Sequence, residues 1–316
     1  MTDPVSDFLD AMGAAGIRPV EPIADKLASG DPVRFRADGD KPGRRNGWAW
    51  LHLDGVPAGV FRHYRLGVRT VWRAGSDPCS LSPAERRTIM AQARECEARR
   101  KAETEAKQEA AASTARDLWR DAGKADPAHG YLARKRLPPF GIRQHGAALL
   151  VPMVDPGFRL WNVQRVFPDG RKLFLSGGRT DGLFWSHGAF WQDGRPSAGP
   201  LVIGEGFATM AAVHNATGHG VVAAMSARNL ETVARTMRKL FPSRALIIAA
   251  DDDRHLSENI GLNAAQRAAE SIGALLATPL PFGPETRPAD SGTDFADIAP
   301  GEVAARIAQA GRAGHA

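Results

Sequence analysis

Leu201-Val202-Ile203-Gly204-Glu205-Gly206 and Ala245-Leu246-Ile247-Ile248-Ala249-Ala250-Asp251-Asp252-Asp253 are the two stretches from which the fold is read. Each opens with a short apolar run that lacks polar alternation, the pattern of a strand buried on both faces of a parallel sheet. A helix-like stretch follows each run, so the carboxylates fall at the carboxyl ends of strands, where open α/β sheets carry their sites. Acids gathered there repel one another unless a cation neutralises them, and all-oxygen ligation suits Mg²⁺ or Mn²⁺. This points to a metal-dependent phosphoryl-transfer site built on Glu205, Asp251 and Asp253. Alternation along an extended strand end turns Asp252 away from its two neighbours.

Working outward, residues 199–316 are expected to form a compact Rossmann-like α/β domain with a mostly parallel sheet. Strand 201–203 leads to a helix over 207–214 that Gly218 ends, and Val221–Met225 is a second strand. Ser226 caps a helix whose apolar positions Leu230, Val233, Ala234, Met237, Leu240 and Phe241 keep helical spacing. Strand 245–249, helix 260–276 and a short strand Thr278–Leu280 complete the array.

Upstream, residues 121–198 read as a small basic α+β subdomain. A helix runs from Asp126-Pro127 to Arg136 and is stopped by Pro138-Pro139. Strands follow at Leu149–Val154, Leu160–Phe167 and Lys172–Leu175, the last two joined by the turn Pro168-Asp169-Gly170. Arg165 stands among apolar neighbours on one strand face. Residues 81–120 read as a long, largely exposed connecting helix. Ser82-Pro83-Ala84-Glu85 opens it with a capping box, and Ile89, Met90, Ala93 and Cys96 give it a thin apolar stripe. Residues 1–80 are expected to be a β-rich unit in which arginines accompany Phe35, Trp48, Trp50, Phe61, Tyr64 and Trp72. Basic groups and aromatic faces together are the ingredients of a single-strand binding surface; the alternative is that the tryptophans form the core of a small sheet.

Composition narrows the class. With 316 residues, 43% of them hydrophobic and 24% charged, the chain is long enough for about two soluble domains. No apolar run approaches the ~20 residues that span a bilayer, and Met1-Thr2-Asp3-Pro4 does not read as a signal peptide, so a cytoplasmic protein without membrane contact is expected. The net charge of +6 divides into +3 over residues 1–120, +5 over 121–200 and −2 over 201–316. An acidic module beside a basic one suits a polyphosphate substrate. Cys79 and Cys96 are the only cysteines, which excludes a zinc ribbon, and the P-loop pattern of an NTP-driven motor is absent.

Val202-Ile203-Gly204-Glu205-Gly206, the Asp251-Asp252-Asp253 run 46 positions after Glu205, and Asp294-Phe295-Ala296-Asp297-Ile298 resemble, in order, the motifs of a Toprim domain. Within that superfamily, residues 114–300 look most like the primases of bacterial plasmids and phages; Arg171-Lys172-Leu173-Phe174-Leu175-Ser176-Gly177-Gly178 resembles their basic strand-and-turn segment facing the metal site. The resemblance implies a DNA primase that makes short primers on single-stranded DNA from nucleoside triphosphates. Asp251 and Asp253 are then the chief metal ligands, and Glu205 is either a ligand or the group that assists deprotonation. Asp294 and Asp297 would complete a second metal site, or else cap a helix beginning near Glu302. Arg165, Arg171, Lys172 and Arg179 would contact phosphates. A replicative helicase or initiator protein is the implied protein partner.

Three other functions draw on related features. A Toprim nuclease uses the same acids to activate water. A non-catalytic DNA-binding accessory has no need of an intact acid set. A topoisomerase requires a tyrosine nucleophile, and only Tyr64 and Tyr131 exist.

Overall fold

The computed structural model describes residues 3–75, 81–188, 190–192, 195–197, 199–252, 259–279 and 294–313. The expected site residue Asp253, together with Cys79 and Leu280, lies outside the described residues. The chain divides into two compact units, Met1–Glu105 and Ala106–Ala316.

In the first unit two helices precede the strands, which the β-rich expectation had not included. Asp3 caps α1 (Pro4–Ala14) by accepting from the Val5 N–H at 3.3 Å, and Pro4 sits in the first turn, where no N–H is needed. Val5, Phe8 and Met12 recur at helical spacing and are buried. After α2 (Ala24–Ala28), strands β1 (Val33–Phe35), β2 (Gly47–His52), β3 (Ala58–His63) and β4 (Val68–Arg73) form an antiparallel sheet in chain order. One face, with Phe35, Leu51, Phe61 and Trp72, packs with Phe8, Met12 and Leu27 of the two helices. The other face, with Trp48, Trp50 and Val60, packs under Ile89, Ala93 and Cys96 of helix α3 (Pro83–Asp121).

The thin stripe on α3 is therefore a buried seam. The expected capping box is present: the Ser82 N–H donates to Glu85 Oε2 at 2.9 Å and the Glu85 N–H to Ser82 Oγ at 3.3 Å. Trp48, Trp50 and Trp72 are 4%, 3% and 5% exposed, so the rings that a stacking surface would need are core, and Tyr64 alone of the named aromatics is exposed. A buried polar knot locks the loop after β1 to the β3–β4 turn. Asp40 accepts from Asn46 (2.8 Å), the Ala37 N–H (3.1 Å) and Arg65 (3.2 Å) and faces His63 Nε2 at 3.2 Å. Leu66 N–H donates to His63 Nδ1, which leaves Nε2 as the protonated nitrogen that donates to Asp40.

The second unit begins with the last turns of α3, where Ala115, Leu118 and Trp119 pack on Leu150 and Val163. Strands β5 (Gly123–Lys124), β6 (Arg143–His145), β7 (Ala148–Val154), β8 (Leu160–Val166) and β9 (Lys172–Phe174) make an antiparallel sheet in chain order. The helix between β5 and β6 is shorter than expected. Asp126 instead forms a turn by accepting from the Ala128 N–H, His129 caps α4 (Gly130–Lys135), and Arg136 ends it in the left-handed region at φ 55. β5 and β6 are too short for their period to show in the sequence.

Beyond β10 (Trp185–His187) and the small ribbon β11 (Trp191–Gln192) and β12 (Arg195–Pro196), the alternating array appears. It consists of β13 (Leu201–Gly204), α5 (Phe207–Thr217), β14 (Gly220–Ala223), α6 (Ala227–Leu240), β15 (Leu246–Ala249), α7 (Ile260–Ile272), β16 (Leu275–Ala277) and α8 (Pro300–Ala313). The sheet order is β10-β14-β13-β15-β16, with β10 antiparallel and the other four strands parallel. Leu201, Ile203, Leu246 and Ile248 face α6 and α7, while Val202, Ile247 and Ala249 face α5 and α8. Burial on both faces is why these strands are apolar without alternation. The last strand differs from expectation: Gly273 ends α7 at φ 60, and the strand is Leu275–Ala277 rather than Thr278–Leu280.

The two sheets of this unit share one core, in which Leu149, Val151 and Met153 pack with Val202, Phe207 and Met210. Val154 and Phe184 exchange backbone hydrogen bonds at 2.9 and 3.0 Å between them. Among the described residues, no helix is long and apolar enough to cross a membrane.

Candidate active site

β13 lies between β14 and β15, with Gly204 in register with Ala223 on one side and Ala249 on the other. The residues just past these strand ends, Glu205 and Asp251, therefore emerge at the same carboxyl edge of the sheet, as the sequence implied. A Cβ on Gly204 would meet Met210 Cε at 2.5 Å and the Ala249 carbonyl at 3.1 Å, so glycine here lets the Met210 side chain and the neighbouring strand approach without adjustment. The Glu205 carbonyl accepts from the Met225 N–H at 2.7 Å. Met225 is a non-glycine residue at φ 69, so the chain leaving β14 holds an uncommon left-handed conformation to make this bond.

Helix α5 starts two residues after Glu205, with Gly206 as its cap and no side chain capping it. Its free N–H groups and positive dipole end favour negative charge at this edge. Thr209, buried in the first turn, donates from Oγ1 to Asp251 Oδ1 at 3.2 Å. Asp252 is 1% exposed and accepts from Asn259 Nδ2 at 2.7 Å, while Asn259 caps α7 through the Leu262 N–H. Asp252 thus belongs to the protein interior, as alternation had suggested. Glu205 and Asp251 are partly exposed oxygen donors of the kind a hard divalent cation takes. Among the described residues, no three His, Cys, Asp or Glu side chains lie close enough together to hold a metal ion.

Asp294 and Asp297 are held by a residue that sequence reasoning missed. Lys135, at the end of α4, pairs with Asp297 Oδ1 and lies 3.6 Å from Asp294 Oδ2. Phe295, fully buried between them, anchors the segment, and Asp294 Oδ1 accepts from the Ala296 N–H at 2.6 Å. Burial pushes the Asp294 carboxyl above its ordinary value, Lys135 draws it down, and Asp297 adds to the rise. Burial acts to lower the Lys135 ammonium, but the two aspartates outweigh it and hold it raised. The Lys135–Asp297 pair lines a cavity of about 320 Å³ together with Arg136 and Asn215.

The four basic candidates do not share a surface. Val166 pairs with Lys172 and Arg165 with Leu173 across β8 and β9, so Arg165 and Lys172 lie on opposite faces of the sheet. Lys172 is exposed beside Tyr131, its Nζ 5.9 Å from the ring, and its charge reaches Asp294. Arg165 shares its face with Leu150 and Val163, and its Nε is buried without a hydrogen-bond partner. Arg171 stacks on Phe167 in the hairpin, and Arg179 lies over Trp161 and donates to the Asp181 carbonyl. Tyr131 is 3% exposed, and burial pushes its hydroxyl up to about 12.

Two buried amides fix the chain between β9 and β10. Asn162 accepts from the Leu175 N–H and donates to the Arg179 carbonyl, so close to Gly178 that a Cβ there would lie 2.5 Å from its Nδ2. Asn229 accepts from the Gly182 N–H and donates to the Leu183 and Ala224 carbonyls. A lone Asn carries no sequence signal for such a role.

Residues 200–304 match the Toprim domain family. The chain carries a Toprim domain. Two Escherichia coli proteins named DNA primase TraC resemble it over most of its length, one 34% identical over 291 residues and the other 33% over 295. Both alignments cover 89% of this chain, but 27% and 20% of those proteins, so the chain spans about a quarter of the length of these curated relatives. The resemblance to Toprim primases is thereby borne out. A solved structure of the Aquifex aeolicus primase (zinc-binding and RNA polymerase domains) aligns over 99% of this chain and 86% of its own, at 13% identity and a TM-score of 0.42. That likeness is too loose to carry an argument.

Proposed function

We propose that this chain is a DNA primase-type nucleotidyltransferase whose centre is the Toprim strand edge bearing Glu205 and Asp251. The observation that supports the reading is the register of β13 with β15, whose ends lead into Glu205 and Asp251 at one carboxyl edge of the sheet, in a chain similar to DNA primase TraC. The reaction is attack of a 3′-hydroxyl on the α-phosphate of a nucleoside triphosphate: a new P–O bond forms, the bond to pyrophosphate breaks, and the hydroxyl proton leaves to base or solvent. Asp251, Glu205 and the adjacent Asp253 would hold Mg²⁺ or Mn²⁺, which supplies charge neutralisation at the reacting phosphate. Thr209 orients Asp251, and the Met225 N–H fixes the backbone of Glu205. Glu205, if not a ligand, would take the hydroxyl proton. Lys172, on the same face of the sheet as its cross-strand partner Val166, would offer a cation to template or nucleotide phosphates, with Asp294 and Asp297 shaping the field around it. The setting is cytoplasmic DNA replication of a plasmid or phage, with single-stranded DNA as template and a helicase or initiator as protein partner.

The test is incubation with labelled nucleoside triphosphates, single-stranded DNA and Mg²⁺ or Mn²⁺. Primers should form with the wild type and not with Asp251→Asn. Cleavage of the DNA without incorporation would favour the nuclease reading, and DNA binding with neither product would favour a non-catalytic accessory.

A further inference from the structure

The first unit contains an open cavity of about 750 Å³ between β4 and the first turns of α3, lined by Arg69, Arg86, Arg87 and Arg94 over a floor of Val71 and Met90. No carboxylate lines it among the described residues. All four arginines are exposed. Arg69 has only the Met90 sulfur within reach, at 3.4 Å, and Arg86 donates to the Leu81 carbonyl. Arg87 and Arg94 make no hydrogen bond or ion pair with described residues. The neighbouring acids are spoken for elsewhere: Glu85 pairs with Arg73, and Glu97 with Arg62. Glu95 is exposed and does not line the cavity.

We propose that this groove holds the phosphate backbone of single-stranded nucleic acid. Guanidinium forks match phosphate oxygens in pairs. Arg87 and Arg94 are two helical turns apart, about 10 Å along α3, so they address different phosphates, while Arg69 reaches in from the opposite wall. β4 is the edge strand of its sheet and turns every second N–H and C=O outward, adding backbone donors to the same wall. The choice of nucleic acid over an acidic protein rests on the floor. A protein interface centres on buried aromatic anchors, and this groove has none, because Trp48, Trp50 and Trp72 are already consumed by the core. For the same reason the groove grips backbone and does not read bases, so its binding is indifferent to sequence and steep in salt.

The test does not depend on the catalytic reading, because it needs neither nucleotide nor divalent ion. Full-length protein is titrated with fluorescent oligo-dT in EDTA over a range of salt, with hydrogen exchange followed in parallel. The Arg87→Ala/Arg94→Ala variant should bind several-fold more weakly, and its plot of log K against log salt should flatten by about 1.4, at ~0.7 for each lost contact. Oligo-dT should protect the peptides over 68–73 and 86–94 in the wild type and not in this variant. Arg87→Lys/Arg94→Lys, which keeps the charge, should retain most of the slope, and Lys101→Ala should change nothing. Should the double alanine variant not fold, Arg69→Ala is expected to flatten the slope by about half as much. Unchanged slope and protection in these variants overturns the proposal. Protection of the same peptides by poly-glutamate, as strong as by oligo-dT at equal charge, also overturns it and assigns the groove to an acidic protein.

Discussion

Thr209 Oγ1 donates to Asp251 Oδ1 at 3.2 Å, so the first turn of the helix after one strand steers the carboxylate at the end of the next. A hydrogen bond to a charged group is worth about 1.5–3 kcal/mol, and only part of that appears in the reaction. Thr209→Val keeps the shape and removes the donor. Primer synthesis should fall about tenfold, equivalent to ~1.4 kcal/mol, while Thr209→Ser stays near wild type. A valine variant with full activity would mean that other contacts of Asp251 set its orientation.

Lys172 and Arg165 should separate in the same assay because they lie on opposite faces of one sheet. Lys172→Ala is expected to weaken template or nucleotide binding and to lower the salt slope by ~0.7 for a single-stranded template. Arg165→Ala should leave the slope as it is and act, if at all, on stability. The reverse pattern would move the template to the face covered by α3.

Lys135→Ala should destabilise the protein in a pH-dependent way. Its loss leaves Asp294 and Asp297 facing each other without their ion-pair partner, and with side chains 23% and 29% exposed the cost is discounted to about 1–2 kcal/mol at pH 7. The folded Asp294 carboxyl is already raised, chiefly by burial, and loses its main downward influence in the variant. An acid raised in the folded state opposes folding once ionised, and protonation relieves it. The deficit in Tm should therefore be largest above neutrality and shrink as pH falls through 5 towards 4. A deficit that stays constant with pH would show that packing, not charge, is what Lys135 supplies.

Asp40 gives the opposite sign. Burial acts to raise its carboxyl, but hydrogen bonds from Asn46, the Ala37 N–H, Arg65 and His63 outweigh it and hold the group well below its ordinary 3.8. A depressed acid stabilises the fold above its unfolded value and loses that contribution as pH falls through the folded one. Asp40→Asn should lower Tm at pH 7, and the gap from wild type should narrow below about pH 4. Equal gaps at pH 7 and pH 3 would contradict the depressed carboxyl.

The carboxylate-bearing edge of the sheet was legible because a strand buried on both faces must be written in unbroken apolar residues, so the polar residues that end it stand out. The place of Glu205 and Asp251 just past two adjacent strand ends was read that way, and the Ser82–Glu85 capping box by equally local chemistry. Lys135 was not, because its partner Asp297 lies 162 positions away and nothing near α4 announces it. α1 did carry a signal, since Asp3-Pro4 is a cap followed by a first-turn proline and Val5, Phe8 and Met12 repeat at helical spacing. In the first unit, basic and aromatic residues looked like one surface in the sequence. In three dimensions strand alternation and the α3 seam sent the rings inward and left the arginines outside.

The backbone exchange between Val154 and Phe184, with one core beneath both sheets, bears on how such proteins diversify. A Toprim layer joined this way is not a portable cassette. A graft cut at residue 199 would leave behind β10, the edge strand of its own sheet, and would strip Val202, Phe207 and Met210 of the residues that cover them. A transplant that keeps this core intact must carry residues 123–187 along with the layer.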